Sequence, residues 1–118
     1  MKPECTIYEV ADFIGKKWTL LILQELYKGT SNKRFSELKR SIPGITPKLL
    51  SSRLKELEKL DIVQKNIDTS AFPITCQYIL TDKGLAFISV IKSMKIWALK
   101  WHGNNETCKK TNCKYCAF

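Results

Sequence analysis

The chain has 118 residues, 44% of them apolar and 26% charged, with 20 Lys and Arg against 11 Asp and Glu. That length suits one domain with one modest core, and the composition excludes a disordered or collagen-like chain. A formal net charge of +9 favours polyanionic partners: nucleic acid first, then anionic lipid or an acidic protein.

The longest nearly uncharged apolar stretch, residues 18–23, falls far short of the roughly 20 residues of a membrane span, and no apolar signal segment follows Met1. A cytoplasmic protein with no membrane partner is therefore expected. The charge is local: residues 28–59 hold nine Lys and Arg side chains against three Glu. A charge run is often only a solvated face, so its meaning depends on the element that carries it.

Thr6 and Glu9 have the spacing of a capping box, and Ile7, Val10, Ala11, Phe13 and Ile14 follow at helical spacing, predicting a first helix to about Gly15. Trp18, Leu21, Ile22 and Leu26 predict a second over 16–28, stopped by Gly29. Phe35, Leu38 and Ile42 give a short third helix, ended by Pro43 and Gly44. Thr46 can cap a fourth helix over 47–60, with Pro47 at its first position and Leu49, Leu50, Leu54, Leu57 and Leu60 as its apolar face. Lys48, Ser51, Ser52, Lys55 and Lys59 are left for the opposite face. The third and fourth helices around a Pro-Gly turn make a helix-turn-helix.

Residues 62–67 and 75–80 are β-rich and read as a hairpin, with Pro73 in its loop. Thr81 can cap a last helix carrying Leu85, Ile88, Ile91, Trp97, Leu99 and Trp101. These cover more than one narrow stripe, so a second subunit is the simplest cover for the surplus. The expected fold is mainly α with a small β-hairpin, a winged helix-turn-helix over residues 1–103, followed by a polar, Cys-rich tail over 104–118.

The segments Ile14-Gly15-Lys16-Lys17-Trp18-Thr19-Leu20-Leu21-Ile22-Leu23, Arg34-Phe35-Ser36-Glu37-Leu38, Ile42-Pro43-Gly44-Ile45-Thr46, Leu50-Ser51-Ser52-Arg53-Leu54-Lys55-Glu56-Leu57-Glu58 and Tyr78-Ile79-Leu80-Thr81-Asp82-Lys83-Gly84 closely resemble the HxlR-type transcriptional regulators. The resemblance covers about residues 5–102. It implies a homodimeric winged-helix regulator of operator DNA, with dimer contacts from the first and last helices. Asp61 stands where the family usually has Gly, and Phe72-Pro73 replaces a common Pro-Pro.

An α-helix fits the major groove, and residues near its N-terminus reach base edges while flanking cations meet phosphates. Thr46, Lys48, Ser51 and Ser52 are thus candidates for base or adjacent backbone contact, with Arg53 and Lys55 beside them. An intramolecular partner such as Glu37 or Glu56 competes for Arg53. Lys33 and Arg34, at the start of the third helix, and Thr69 and Ser70 at the wing tip are expected to meet phosphates.

Five cysteines in a cytoplasmic-looking chain point to thiol chemistry or metal before disulfides. Cys5 precedes the first helix, whose N-terminal dipole favours a thiolate, although packing against Val10 accounts for the position equally well. The resemblance favours redox sensing, because several members of that family carry a redox-sensing cysteine at the matching place. Cys76, within a strand, is expected to be a small buried core residue. Cys108, Cys113 and Cys116, with His102 before them, have spacings similar to part of a plant-type iron–sulfur site and would equally suit tetrahedral zinc. A mobile tail with free or oxidised thiols is the alternative.

A small Cys-based redox enzyme is a competing function, but there is no Gly-rich phosphate loop and no CxxC opening a helix in a βαβ unit. A winged-helix adaptor for an acidic protein would need the same basic face without operator preference.

Overall fold

The computed structural model describes residues 2–29, 32–103 and 106–116, Thr107 by its backbone alone. Helices α1 (Thr6–Ile14) and α2 (Lys17–Tyr27) lead into a two-residue strand β1 (Lys33–Arg34) and helix α3 (Phe35–Ser41). Helix α4 (Pro47–Lys59), strands β2 (Val63–Asp68) and β3 (Thr75–Leu80), and helix α5 (Asp82–Trp101) follow. A short α6 (Glu106–Lys110) and one 3-10 turn (Cys113–Tyr115) end the described chain.

Two helix starts and the sheet differ from the sequence reading. Cys5, not Thr6, is the N-cap of α1, Thr6 is already helical, and no side chain caps that end. The hairpin is joined by β1, so the sheet has three antiparallel strands in the order β1-β3-β2, with Lys33 opposite Tyr78 and Val63 opposite Leu80. Lys33 and Arg34 are consequently strand residues, and Arg34 is the N-cap of α3.

The core is built where α2, α3, α4 and the sheet meet. Ile22, Leu23, Leu38 and Leu50 are fully buried, and Leu26, Leu54 and Leu57 nearly so. Phe13 and Phe87 meet as a tilted pair, ring centres 5.4 Å apart, and tie α1 to α5. Cys76 is half-buried against this core, not enclosed by it.

Helix α4 ends in a left-handed turn. Ile62 N–H donates to Leu57 O at 2.9 Å and Asp61 N–H to Glu58 O at 3.0 Å, while Asp61 adopts φ 59°. This is the Schellman arrangement, with Leu57 and Ile62 both buried beneath it. A side chain at that φ costs about 1 kcal/mol relative to glycine, and the Asp is tolerated because short polar side chains visit the region most readily. The following junction is clamped by Thr81, whose hydroxyl donates to Asp61 O at 2.6 Å and accepts from Gly84 N–H at 3.1 Å.

Tyr78 lies in the central strand and is only 7% exposed. Burial, with Cys76 and Glu58 nearby, pushes its phenol up to about 12. The unfolded chain releases that proton near pH 10, so between pH 10 and about 12 the folded state binds more protons and stability falls as pH rises. The urea midpoint is therefore expected to drop more steeply above pH 10 in the wild type than in Tyr78→Phe. Equal alkaline slopes in the two proteins would contradict this assignment.

The C-terminal segment is held by backbone contacts its composition did not announce. Gly29 N–H donates to Lys114 O at 2.7 Å, and Lys95 Nζ donates to Thr111 O at 2.7 Å. Lys114 Nζ stands 5.7 Å from the Tyr27 ring centre.

Candidate nucleic-acid interface

The turn before α4 is fixed by Ile42 and Ile45, each 2% exposed, and by Gly44 at φ 86°. Thr46 then caps α4, its Oγ1 accepting from Leu49 N–H at 3.1 Å, and Pro47 takes the first helical position. With Leu50, Leu54 and Leu57 pinned inward, helical periodicity sends Lys48, Ser52 and Lys55 to the surface, where all three are exposed. Ser51 is half-buried at the edge of that face. No side-chain hydrogen bond or ion pair within the described chain engages Lys48, Ser51, Ser52 or Lys55, whose polar groups are available to an external partner.

Arg53 is placed differently. Its Nη1 meets Glu56 Oε1 at 3.2 Å, and Glu56 Oε2 also accepts from Lys16 Nζ at 2.9 Å. The intramolecular partner weighed for Arg53 is thus present, and the trio joins the N-terminus of α2 to α4. Lys16 was not singled out from the sequence, because its partner lies forty residues away in the chain.

Lys33 turns inward. Its ammonium donates to the Lys28 carbonyl, and burial holds its pKa below the usual lysine value against the opposing pull of Glu25 and Glu37. Arg34 is exposed, its backbone N–H donating to Glu37 Oε1 at 3.2 Å. At the wing tip Thr69 is exposed, whereas Ser70 donates through both its hydroxyl (2.6 Å) and its N–H (3.0 Å) to Asp68 Oδ1. These bonds hold the Asp68 carboxyl below its usual range. Asp68, ionised at neutral pH with or without these bonds, puts a negative charge beside the wing tip that the sequence reading did not weigh.

Cys5 is half-buried at the start of α1, and no cysteine is in a disulfide. Among the described residues no three His, Cys, Asp or Glu side chains assemble into a group able to hold a metal ion. Cys108, Cys113 and His102 nonetheless border one apolar recess on α5.

The pattern of the HxlR-like helix-turn-helix family matches residues 13–106, most of the chain. This protein belongs to that family. Among its relatives, the HTH-type transcriptional regulator YodB of Bacillus subtilis is 41% identical over 85 residues, covering 72% of this chain and 73% of YodB. The uncharacterized HTH-type transcriptional regulator YvaP of the same organism is 36% identical over 98 residues, covering 82% and 88%. The reduced form of B. subtilis YodB superposes with a TM-score of 0.74 at 38% identity over 85% of this chain and 98% of that one. The redox regulator HypR in its oxidized form gives a TM-score of 0.70 at 30% identity, over 85% and 100%. The HxlR-like proteins matched here are transcriptional regulators, which removes the Cys-based enzyme as a reading. No helix among the described residues is long and apolar enough to cross a membrane.

Proposed function

We propose that this HxlR-like protein is a cytoplasmic homodimer that reads operator DNA through α4 and changes its affinity when Cys5 is oxidised. One observation carries the DNA reading: Lys48, Ser52 and Lys55 form an exposed face without internal partners, directly opposite three buried leucines. The helix cannot turn that face elsewhere without pulling its leucines from the core. Lys48 and Ser52 lie in the first two turns, where a recognition helix meets base edges, and Thr46 can still donate its hydroxyl proton to a phosphate while capping. Arg34 and Thr69 supply further phosphate contacts, whereas Arg53 is paired with Glu56 on the same helix.

Fluorescence anisotropy with duplexes from the region upstream of its own gene tests this. The expected result is at least about a thousandfold preference over random duplex at physiological salt, with affinity falling as salt rises. Equal affinity for both duplexes would leave a basic adaptor for an acidic protein instead.

The dimer is supported by an exposed apolar stripe on α5. Val90, Met94, Trp97 and Trp101 recur at helical spacing and are 43%, 37%, 58% and 66% exposed. Ile7 and Tyr8 of α1, 65% and 44% exposed, add to the uncovered apolar surface.

For Cys5, support comes from its half-buried place at the start of α1 and from the redox regulator among the similar structures. Treatment with diamide, which takes two electrons and two protons as Cys5 and a second cysteine of the dimer join in a disulfide, is expected to change operator affinity at least tenfold in the wild type. Cys5→Ser should not respond. An identical response in the two proteins would remove Cys5 from the switch.

A further inference from the structure

Residues 113–116 read Cys-Lys-Tyr-Cys, and they fold into the 3-10 turn that ends the described chain. Two successive hydrogen bonds close it: Tyr115 N–H donates to Asn112 O at 2.9 Å and Cys116 N–H to Cys113 O at 3.3 Å. Asn112 Oδ1 caps the turn by accepting from Lys114 N–H at 2.9 Å. A turn closed from residue i+3 back to residue i holds those two Cα atoms within about 7 Å, and a disulfide takes Cα atoms about 4.4–6.8 Å apart. With three residues per turn, side chains at i and i+3 lie one above the other. Cys116 keeps a φ of −72°, close to the 3-10 value, so its Cβ continues the turn on the side that Cys113 occupies.

The turn is also fastened from outside. Gly29 N–H and Lys95 Nζ hold the carbonyls of Lys114 and Thr111, each at 2.7 Å, and Lys114 Nζ faces the Tyr27 ring. Both cysteines are half-buried and neither is in a disulfide. Cys113 borders the open recess on α5, which gives it access to solvent.

We propose that Cys113 and Cys116 are a redox-active dithiol that exchanges with small disulfides of the glutathione type. The Cys113 thiolate attacks one sulfur of the small disulfide, forming a mixed disulfide and releasing one small thiol. The Cys116 thiolate then attacks the Cys113 sulfur, closing the protein disulfide and releasing the second. The two protons of the protein thiols end on the two small thiols, and two electrons pass from the protein to the small disulfide. Closing the ring fixes the turn whose Lys114 carbonyl receives Gly29 N–H, so oxidation fastens the C-terminal segment to the end of α2. The couple is a property of this chain more than of its family, since the family pattern ends at residue 106.

The test uses the full chain without DNA, so it stands apart from operator recognition and from Cys5. The protein is equilibrated in glutathione buffers of graded thiol-to-disulfide ratio, quenched with an alkylating reagent and mapped by mass spectrometry after cleavage at lysine. Cleavage at Lys114 separates the two cysteines, so their disulfide appears as two peptides joined through sulfur. That linkage is expected in the wild type and in Cys108→Ser, in a buffer at least about tenfold more reducing than the same chain requires when unfolded in urea, because the folded turn raises the effective concentration of one thiol at the other. Cys116→Ser should instead accumulate glutathione on Cys113. Disulfides to Cys108 in place of this pair, or the same ratio for the folded and unfolded chain, would overturn the proposal. Thiols of the purified chain that resist alkylation until bound zinc is removed would overturn it as well, making them metal ligands.

Discussion

Val90→Glu combined with Trp97→Glu is expected to convert the proposed dimer into monomers at micromolar concentration and to lower operator affinity at least about a hundredfold. Both positions lie on the α5 stripe and are already 43% and 58% exposed within one subunit, so two carboxylates there cost the monomer little. In the proposed dimer, with the α5 stripe as the contact, they would be buried without partners, which is far costlier. Two half-sites joined in one dimer gain about 10² to 10⁴ in apparent affinity through effective concentration, and a monomer forfeits that gain with every α4 contact intact. Sedimentation and anisotropy read the two effects together. A monomeric double variant that holds operator as tightly as the wild type would show that a single recognition helix suffices.

Gly84→Ala is expected to destabilise the fold by about 2–3 kcal/mol, the size of an overpacked core site, and to lower the melting temperature by about 10 °C or more. A Cβ at position 84 would stand 2.4 Å from the Ile62 carbonyl oxygen and 3.1 Å from Leu80 Cδ2. The carbonyl cannot swing aside freely, because it accepts from Thr81 N–H at 3.0 Å at the junction that seats α5 against the start of the wing. Helix propensity works the other way, by about 1 kcal/mol in favour of alanine, and is too small to compensate. Gly103→Ala serves as the control, since nothing lies within 4 Å of a Cβ there. Equal melting temperatures for Gly84→Ala and wild type would mean that α5 is not held this closely to the wing.

The parts of the fold legible in the sequence were those with local causes. Helix α4 is the clearest, because Thr46, Pro47 and a leucine periodicity define its start and its inner face within fourteen residues. Thr81 capping α5 was legible for the same reason. The Thr6 and Glu9 spacing misled by one position, since a box motif specifies side-chain types and not the backbone bend, which occurs at Cys5. Strand β1 was invisible because two residues have no period of their own, and they are extended only through pairing with β3 some forty-five residues later.

The candidate site divides along the same line. The exposed face of α4 follows from the leucines beneath it, and the Arg53–Glu56 pair follows from their three-residue spacing on one helix. The inward turn of Lys33 depends on a carbonyl at the end of α2, and the pairing of Lys16 with Glu56 depends on the packing of two distant helices. Neither has a local signature. Order in the C-terminal segment comes from backbone groups of Gly29 and Thr111, whose partners no composition could reveal.

Selection of bound duplexes from a random-sequence library by the wild type, Lys48→Ala, Ser52→Ala and Arg34→Ala tests most directly whether α4 reads bases. The wild type is expected to enrich a two-fold symmetric sequence with half-sites about one helical turn, ~34 Å, apart. Lys48→Ala and Ser52→Ala should each relax the preference at particular base pairs by about 1–3 kcal/mol, while Arg34→Ala should weaken all sequences alike and keep the same preference. Unchanged preferences in both α4 variants would contradict base reading by this helix.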